Sequence, residues 1–188
     1  CDYLRVLDKK HINIDLFNAI NPLKKLQALY LSSLELKYHD VLNLIANMNN
    51  ENITFMDLSN NTIGDKGIVA LAHKNLMRYL ILNTTQVSSI GAISLAKALE
   101  QTQMRDLSLN SNHIGDEGVI ALTHALKKNP PEIFSLRLQF NGTRDENGHF
   151  TYLFTDRART ALREIMDSFG YAPPQKDGSA AVNWYLNY

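Results

Sequence analysis

Two stretches of this chain carry almost the same sequence, and this repetition constrains the fold more than any other feature. Residues 53–73 read ITFMDLSNNTIGDKGIVALAH, and residues 104–127 read MRDLSLNSNHIGDEGVIALTHALK. Both follow the pattern L-x-x-L-x-L-x-x-N-x-L, which is typical of a unit made of one strand and one helix. A single unit cannot cover its own apolar face, so several of them must stack into a solenoid.

Weaker copies of the pattern occur along the chain. Five repeats start at positions 26, 53, 77, 104 and 133, with spacings of 27, 24, 27 and 29 residues. Repeats of this length have room for a helix after each strand. We therefore expect a curved α/β horseshoe with parallel strands on its concave face and helices on its convex face. Leu34 and Thr85 replace asparagine in two of the repeats.

Polar residues recur where each strand pattern ends. We expect the amides of Asn61, Asn112 and Asn141 to turn inward and to bond backbone groups of the turn and of the adjoining repeat. Asp65 and Asp116 are candidate N-caps of the helices that follow, and the glycines beside them permit a tight reversal of the chain.

The two ends of the chain depart from the pattern. We expect a degenerate N-terminal repeat at 1–25, regular repeats at 26–143, and a C-terminal cap helix and tail at 144–188. In the first segment, Leu4 and Val6 indicate a strand, and the sequence DLFNAI indicates a short helix.

The C-terminal segment begins with a polar, glycine-flanked loop and continues with HFTYLF, which alternates like a short strand. Residues 156–169 form an amphipathic helix, capped by Thr155 or Asp156, and a solenoid needs such a helix to cover its last apolar layer. The tail at 171–188 either docks on its own chain or acts as a ligand-like segment.

The segments NNTIGDKGIVALA and SNHIGDEGVIALTHAL resemble the ribonuclease-inhibitor class of leucine-rich repeats. That class is shared by ribonuclease inhibitor, NOD-like receptors, Ran GTPase-activating protein and tropomodulin. Similar repeats occur in effectors that intracellular bacteria deliver into host cells. The resemblance covers residues 26–143 and implies a leucine-rich repeat solenoid. Because the class contains many unrelated binders, it implies protein binding without naming the partner.

Composition excludes several other classes. Nineteen basic residues balance nineteen acidic ones, so no overall field draws the chain to nucleic acid or to an anionic membrane. No apolar run reaches the roughly 18 residues of a membrane span, and the sequence CDYLRVLDKK is not a signal peptide. Cys1 is the only cysteine, which favours a cytoplasmic location, including the host cytosol for a bacterial effector. We expect a monomer.

The chain lacks the groupings that catalysis or metal binding requires. Its six histidines have no second histidine or cysteine at metal-ligand spacing. The GDKG and GDEG segments do not match a phosphate-binding loop, and no Ser-His-Asp or Cys-His grouping is evident. We therefore expect no enzymatic activity, no cofactor and no metal.

The concave face is the predicted binding surface. The variable strand positions should stack in columns from repeat to repeat, and they combine aromatic residues with arginines, as protein-binding hot spots do. The residues predicted to bind a protein partner are Tyr30, Phe55, Asp57, Arg78, Tyr79, Ile81, Arg105, Asp106 and Arg137. Arg78 and Arg105 share a column, and Asp106 or a partner carboxylate is expected between them. The alternative is that the aromatics serve strand propensity alone.

Two functions from different classes follow. The first is a non-enzymatic scaffold that binds a protein on its concave face, as a bacterial effector would in a host cell. The second is a regulator of a small GTPase, by analogy with Ran GTPase-activating protein, although that family has more repeats and an acidic C-terminal region. Actin capping, as in tropomodulin, is a weaker analogy.

Overall fold

The computed structural model describes residues 3–73, 77–128 and 135–168. Six short strands form one parallel sheet whose spatial order is their order in the chain. The strands are β1 (Tyr3–Arg5), β2 (Ala28–Tyr30), β3 (Phe55–Asp57), β4 (Tyr79–Ile81), β5 (Asp106–Ser108) and β6 (Ser135–Arg137). Parallel neighbours need a crossover between them, and the helices provide it.

The helices follow the strands in alternation. They are α1 (Ile14–Ile20), α2 (Tyr38–Asn47), α3 (Gly64–Ala72), α4 (Ser89–Leu99), α5 (Asp116–Lys128) and α6 (Asp156–Ser168), and a short 3₁₀ turn occupies Lys9–His11. From α2 onward each helix packs against the next one. The helices thus form a second layer that stacks in step with the sheet.

The core lies between the sheet and the helices. The central residue of each of the strands β2 to β6 is an apolar side chain no more than 3% exposed, and these residues pair in register as Leu29, Met56, Leu80, Leu107 and Leu136. Since side chains alternate along a strand, the residues that flank this central position face away from the core.

Buried asparagines join neighbouring repeats, as predicted. Asn112 Oδ1 accepts hydrogen bonds from the backbone N–H groups of Thr85 and Val87 in the preceding repeat, each at 3.0 Å. Its Nδ2 donates to the carbonyl oxygens of Leu82 and Leu109, at 2.7 and 3.1 Å. The same pattern recurs at Asn61, which makes bonds of this kind to both repeats.

The aspartates predicted as N-caps act on the next helix instead of their own. Asp65 lies in the first turn of α3, which has Ile63 as its N-cap residue. Its carboxylate accepts hydrogen bonds from Ser88 N at 2.8 Å, Ser88 Oγ at 2.5 Å and Gly91 N at 3.0 Å, all at the start of α4. The prediction for Asp65 is therefore wrong: the stacking of repeats places its carboxylate closer to the N-terminus of α4.

Asp116 shows the same arrangement two helix junctions later, between α5 and α6. It is the first residue of α5, and its carboxylate accepts hydrogen bonds from Thr155 N and Thr155 Oγ1, both at 2.6 Å. Thr155 in turn caps α6 by accepting a hydrogen bond from Arg157 N at 3.3 Å. A chain of caps thus connects α5 to α6.

The glycines of these segments have two different roles. Gly64 has a φ of +62°, so it permits the reversal that the sequence predicts. Gly118 instead allows two helices to approach, because a Cβ there would lie 2.9 Å from Ala92 Cβ and 3.0 Å from Ser89 Cα.

The C-terminal part contains an element that the sequence pattern does not show. Gly142–Arg144, within the predicted loop, forms strand β7 and pairs antiparallel with β8 (Phe150–Tyr152). The helix α6 packs against α5 and buries the apolar side chains Ala158, Leu162, Ile165 and Met166. Phe169 and the tail lie outside the described residues.

Candidate functional site

The outward face of the parallel sheet carries two columns of side chains. We name the columns by the position of their residues in the pattern L-x-x-L-x-L. The third-position column, made of the first residue of each strand, runs Tyr3, Ala28, Phe55, Tyr79, Asp106, Ser135. The fifth-position column, made of the last residue of each strand, runs Arg5, Tyr30, Asp57, Ile81, Ser108, Arg137. Neighbours in a column are about 4.8 Å apart because that is the spacing of adjacent strands. The residues predicted for these columns therefore lie side by side on one face.

Four aromatic side chains form a continuous row across β1 to β4, which we call the aromatic ladder: Tyr3, Tyr30, Phe55 and Tyr79. Successive ring centroids are 6.1, 5.0 and 6.3 Å apart. Tyr30 and Phe55 are half-buried, whereas Tyr3 and Tyr79 are 61% and 36% exposed. Each ring contact contributes about 0.5–1.5 kcal/mol to stability, so the ladder is held in place before any partner arrives.

Arg78 and Arg105, which we call the arginine pair, lie at the rim of this face. Each immediately precedes a strand, and Arg105 N donates a hydrogen bond to Arg78 O at 2.7 Å, which makes the two residues neighbours in adjacent repeats. Arg78 is exposed and Arg105 is half-buried. Across the described residues, neither guanidinium forms an ion pair with a carboxylate.

Asp106 does not lie between these two arginines, as the sequence suggested it could. It pairs with Arg137, whose Nη2 lies 2.6 Å from Asp106 Oδ2. The reason is register: Arg137 stands diagonally opposite Asp106 on β6 and reaches it from there. Burial raises the pKa of Asp106 and outweighs the opposing effect of Arg137. The other carboxylate oxygen, Oδ1, is buried and has no hydrogen-bond partner among the described residues.

The charge of the described face is positive. The opposite charges of Asp106 and Arg137 cancel in their ion pair. Arg5, Arg78 and Arg105 then contribute three positive charges and Asp57 one negative charge, so the net charge of the face is +2. One oxygen of Asp57 already accepts a hydrogen bond from Ser59 N at 2.9 Å.

Comparison with known protein families agrees with this geometry. The family model described as Leucine Rich repeat matches residues 49–72 and 101–122, which overlap the two most similar segments of the sequence. Together with the six parallel strands and their alternating helices, these matches decide the fold. The chain is a leucine-rich repeat solenoid. Leucine-rich repeats generally mediate protein–protein interaction and are typically non-enzymatic scaffolds. No curated protein matches the chain at a significant level.

The outward sheet face of this leucine-rich repeat solenoid includes two residues that the sequence pattern did not assign to it. Tyr3 extends the aromatic ladder onto β1, and Arg5 begins the fifth-position column. The alternation Tyr3-Leu4-Arg5-Val6 carries this signal, but it lies in the degenerate repeat, outside the columns predicted from residue 26 onward. Phe134, which the sequence places beside Arg105, lies outside the described residues.

No group of three or more histidine, cysteine, aspartate or glutamate side chains in the described part of the solenoid is arranged to hold a metal ion. Among the helices in those same ranges, none combines the length and the apolar character needed to cross a membrane.

Proposed function

We propose that this chain is a protein-interaction scaffold that binds a protein partner on the concave face of its sheet. The observation that carries the proposal is the aromatic ladder beside the arginine pair, which has no carboxylate partner among the described residues. The contacting residues are Tyr30, Phe55, Asp57, Arg78, Tyr79, Ile81, Arg105, Asp106 and Arg137, to which we add Tyr3 and Arg5.

Physical chemistry supports this face over the convex helices. Aromatic and arginine side chains are enriched at protein–protein hot spots because they offer large contact areas and oriented hydrogen-bond donors. The rings of the ladder restrain one another, so less side-chain entropy is lost when a partner binds. Each strand supplies two outward residues at fixed spacing, so the face is a rigid platform for recognition.

Strand propensity explains only part of this composition. Ring contacts within the ladder stabilise the sheet, which accounts for aromatic residues there without any partner. They do not account for Arg78 and Arg105, which are neighbours in adjacent repeats and have no carboxylate partner among the described residues. A carboxylate of a partner would supply the ion pair that these two side chains lack there.

The finer assignments are part of the same proposal. We place a degenerate repeat at 1–25, the regular repeats at 26–143 and the C-terminal cap and tail at 144–188. The chain acts as a monomer in the cytoplasm, and its repeats are of the ribonuclease-inhibitor class. An effector role and small-GTPase regulation stay predictions, and a GTP-hydrolysis assay on a captured GTPase tests the latter.

Affinity capture from lysate of the parent cell, or of a host cell, identifies the partner, and a double variant tests the face. Tyr79→Ala with Arg105→Ala should weaken partner binding by at least about 2 kcal/mol. The melting temperature should fall by no more than about 6 °C, since neither side chain lies in the core and the loss of one ring contact costs about 0.5–1.5 kcal/mol. Calorimetric titration and thermal unfolding monitored by circular dichroism give the two values.

A matched control removes charge from the convex side. Lys97 and Lys127 are exposed lysines on α4 and α5, and their replacement by alanine should leave binding unchanged. If this control abolishes binding while the Tyr79/Arg105 variant retains it, the partner binds the helices and the proposal is wrong.

A further inference from the structure

We infer that the segment of the partner that contacts this face is an acidic peptide segment carrying a large apolar side chain near its carboxylates. This inference rests on the proposed function and names the chemistry of the partner.

The apolar requirement comes from the middle of the aromatic ladder. Tyr30 and Phe55 are the closest rings of the ladder, 5.0 Å apart and tilted by 40°, and both are half-buried. Ile81 lies half-buried on β4, in the same column as Tyr30 but separated from it by Asp57. The rings of Tyr30 and Phe55 form an apolar surface on which an aromatic or large aliphatic group can pack.

The expectation that the partner segment is acidic follows from which charged side chains of the face already have a partner within the chain. Both aspartates of the described face are engaged within the chain: Asp106 with Arg137, and Asp57 with Ser59 N. The arginine pair is not engaged with any carboxylate of the described residues, and its two residues are neighbours in adjacent repeats. A carboxylate placed at this pair accepts charge-assisted hydrogen bonds from a guanidinium. A basic segment would meet a net positive face.

The spacing of the two features restricts the segment further. Phe55 and Tyr79 lie on adjacent strands, and Arg105 lies one strand beyond Tyr79. The apolar contact and the cationic contact are therefore one to two strand spacings apart, about 5–10 Å. An extended chain advances about 3.3 Å per residue. The apolar residue and the first carboxylate should thus be two or three positions apart.

Single-stranded RNA is the other macromolecule that uses aromatic side chains and arginines. The ladder does not favour it, because rings whose centroids are 5.0–6.3 Å apart already contact one another and leave no gap for a base between them. The overall charge of the chain is zero, whereas nucleic-acid binders are usually basic.

A peptide-display selection on the full chain tests the inference. Random twelve-residue peptides are selected in parallel on the unmodified chain and on a variant carrying Arg78→Ala and Arg105→Ala. We expect peptides enriched only on the unmodified chain to be acidic, with a large apolar residue two or three positions from a carboxylate. In the best peptide, exchange of its acidic residues for their amides should weaken binding at least about tenfold. The Lys97→Ala, Lys127→Ala control should bind it within about twofold.

The outcomes separate this inference from the proposed function. Enriched peptides that need Tyr79 and Arg105 but are neutral or basic overturn the inference and leave the concave face as the binding surface. Peptides that bind the Tyr79→Ala, Arg105→Ala variant as well as the unmodified chain, or a selection without enrichment, overturn both. Tighter binding of a uridine oligonucleotide than of the best peptide, lost in the Arg78→Ala, Arg105→Ala variant, assigns the face to RNA and also overturns the inference.

Discussion

At the scale of single residues, the turns after β2 to β6 all place a residue in the left-handed region at the same position. This residue is Ser33, Asn60, Thr84, Ser111 or Phe140, each with a φ between 55° and 58°, and the turns after β2 and β4 have a second one, Glu35 and Gln86. Non-glycine residues other than asparagine and aspartate pay a steric cost there. Thr84 is β-branched and exposed, so it pays this cost without burying apolar surface in return.

Replacing Thr84 by asparagine, the residue found at Asn60, should therefore raise the free energy of unfolding by about 1 kcal/mol. The reverse change, Asn60→Thr, should lower it by a similar amount. Urea denaturation of both variants measures the pair. Equal stability of all three chains would show that the left-handed turn is not where threonine is disfavoured.

Loss of a buried asparagine should lower the free energy of unfolding by more than the changes at the turn. Asn112→Ala leaves the N–H groups of Thr85 and Val87 and the carbonyl of Leu82 without their side-chain partner inside the fold. One buried unsatisfied group costs about 1–3 kcal/mol, so the loss should be about 3 kcal/mol or more. Gln103→Ala, an exposed control, should change stability by less than about 0.5 kcal/mol. Similar denaturation midpoints for both variants would contradict this role for Asn112.

At the scale of elements, the stability that the junction between α5 and α6 contributes should depend on pH. The hydrogen bond from the Thr155 hydroxyl holds the pKa of Asp116 below its ordinary value of 3.8. A lowered pKa in the folded state gives a stabilisation that is present above the ordinary value and lost as the pH falls through the lower one. The difference in unfolding free energy between the unmodified chain and Asp116→Asn should thus be full at about pH 6 and should shrink toward about pH 2. A difference that stays constant over this range, measured by urea denaturation, would exclude the carboxylate as its source.

Because α4 and α5 pack closely at Gly118, replacing this glycine by alanine should destabilise the chain. Alanine normally stabilises a helix by about 1 kcal/mol relative to glycine. At Gly118, however, the added methyl group would meet the Cα of Ser89 and the side chain of Ala92 on α4. Gly118→Ala should therefore destabilise the chain by about 1–3 kcal/mol, and Ala92→Gly should recover part of the loss. A more stable Gly118→Ala variant would show that α4 and α5 are not packed this closely.

Periodicity predicted the repeating features of this fold, including the bonds from the asparagines to the adjoining repeat, and failed for the other contacts between repeats. The leucine positions, the inward asparagines and the outward columns all follow from local spacing, since side chains alternate along a strand. Three contacts depend on how one repeat is placed on the next: the hydrogen bonds of Asp65 to α4, the close approach of α4 and α5 at Gly118, and the ion pair of Asp106 with Arg137. The pattern within a single repeat does not predict that placement. The strand at Gly142–Arg144 was missed because its polar residues resemble a loop.

At the scale of the whole molecule, a solenoid is held together by contacts between neighbouring units. The parallel sheet is formed by strands in chain order, and from α2 onward each helix packs against the next one. Stability should therefore be a sum of local terms, so that damage at one end spreads only a short distance. The proposed C-terminal cap offers the clearest test, because α6 packs against α5 and is remote in the stacking order from α2.

Leu162 and Met166 are the side chains to change, because both are buried on α6, with exposures of 4% and 6%. Truncating both to alanine removes apolar contacts at the α6 end of the helix layer, and each change should cost about 2–5 kcal/mol. If stability is local, hydrogen exchange should show lower protection of the amides in α5 and unchanged protection in α2. An exposed pair on the same helix, Arg163→Ala with Glu164→Ala, should leave both helices protected. Equal loss of protection in α2 and α5 would mean that the chain opens as one unit, and α6 would then stabilise the entire solenoid instead of its last repeat.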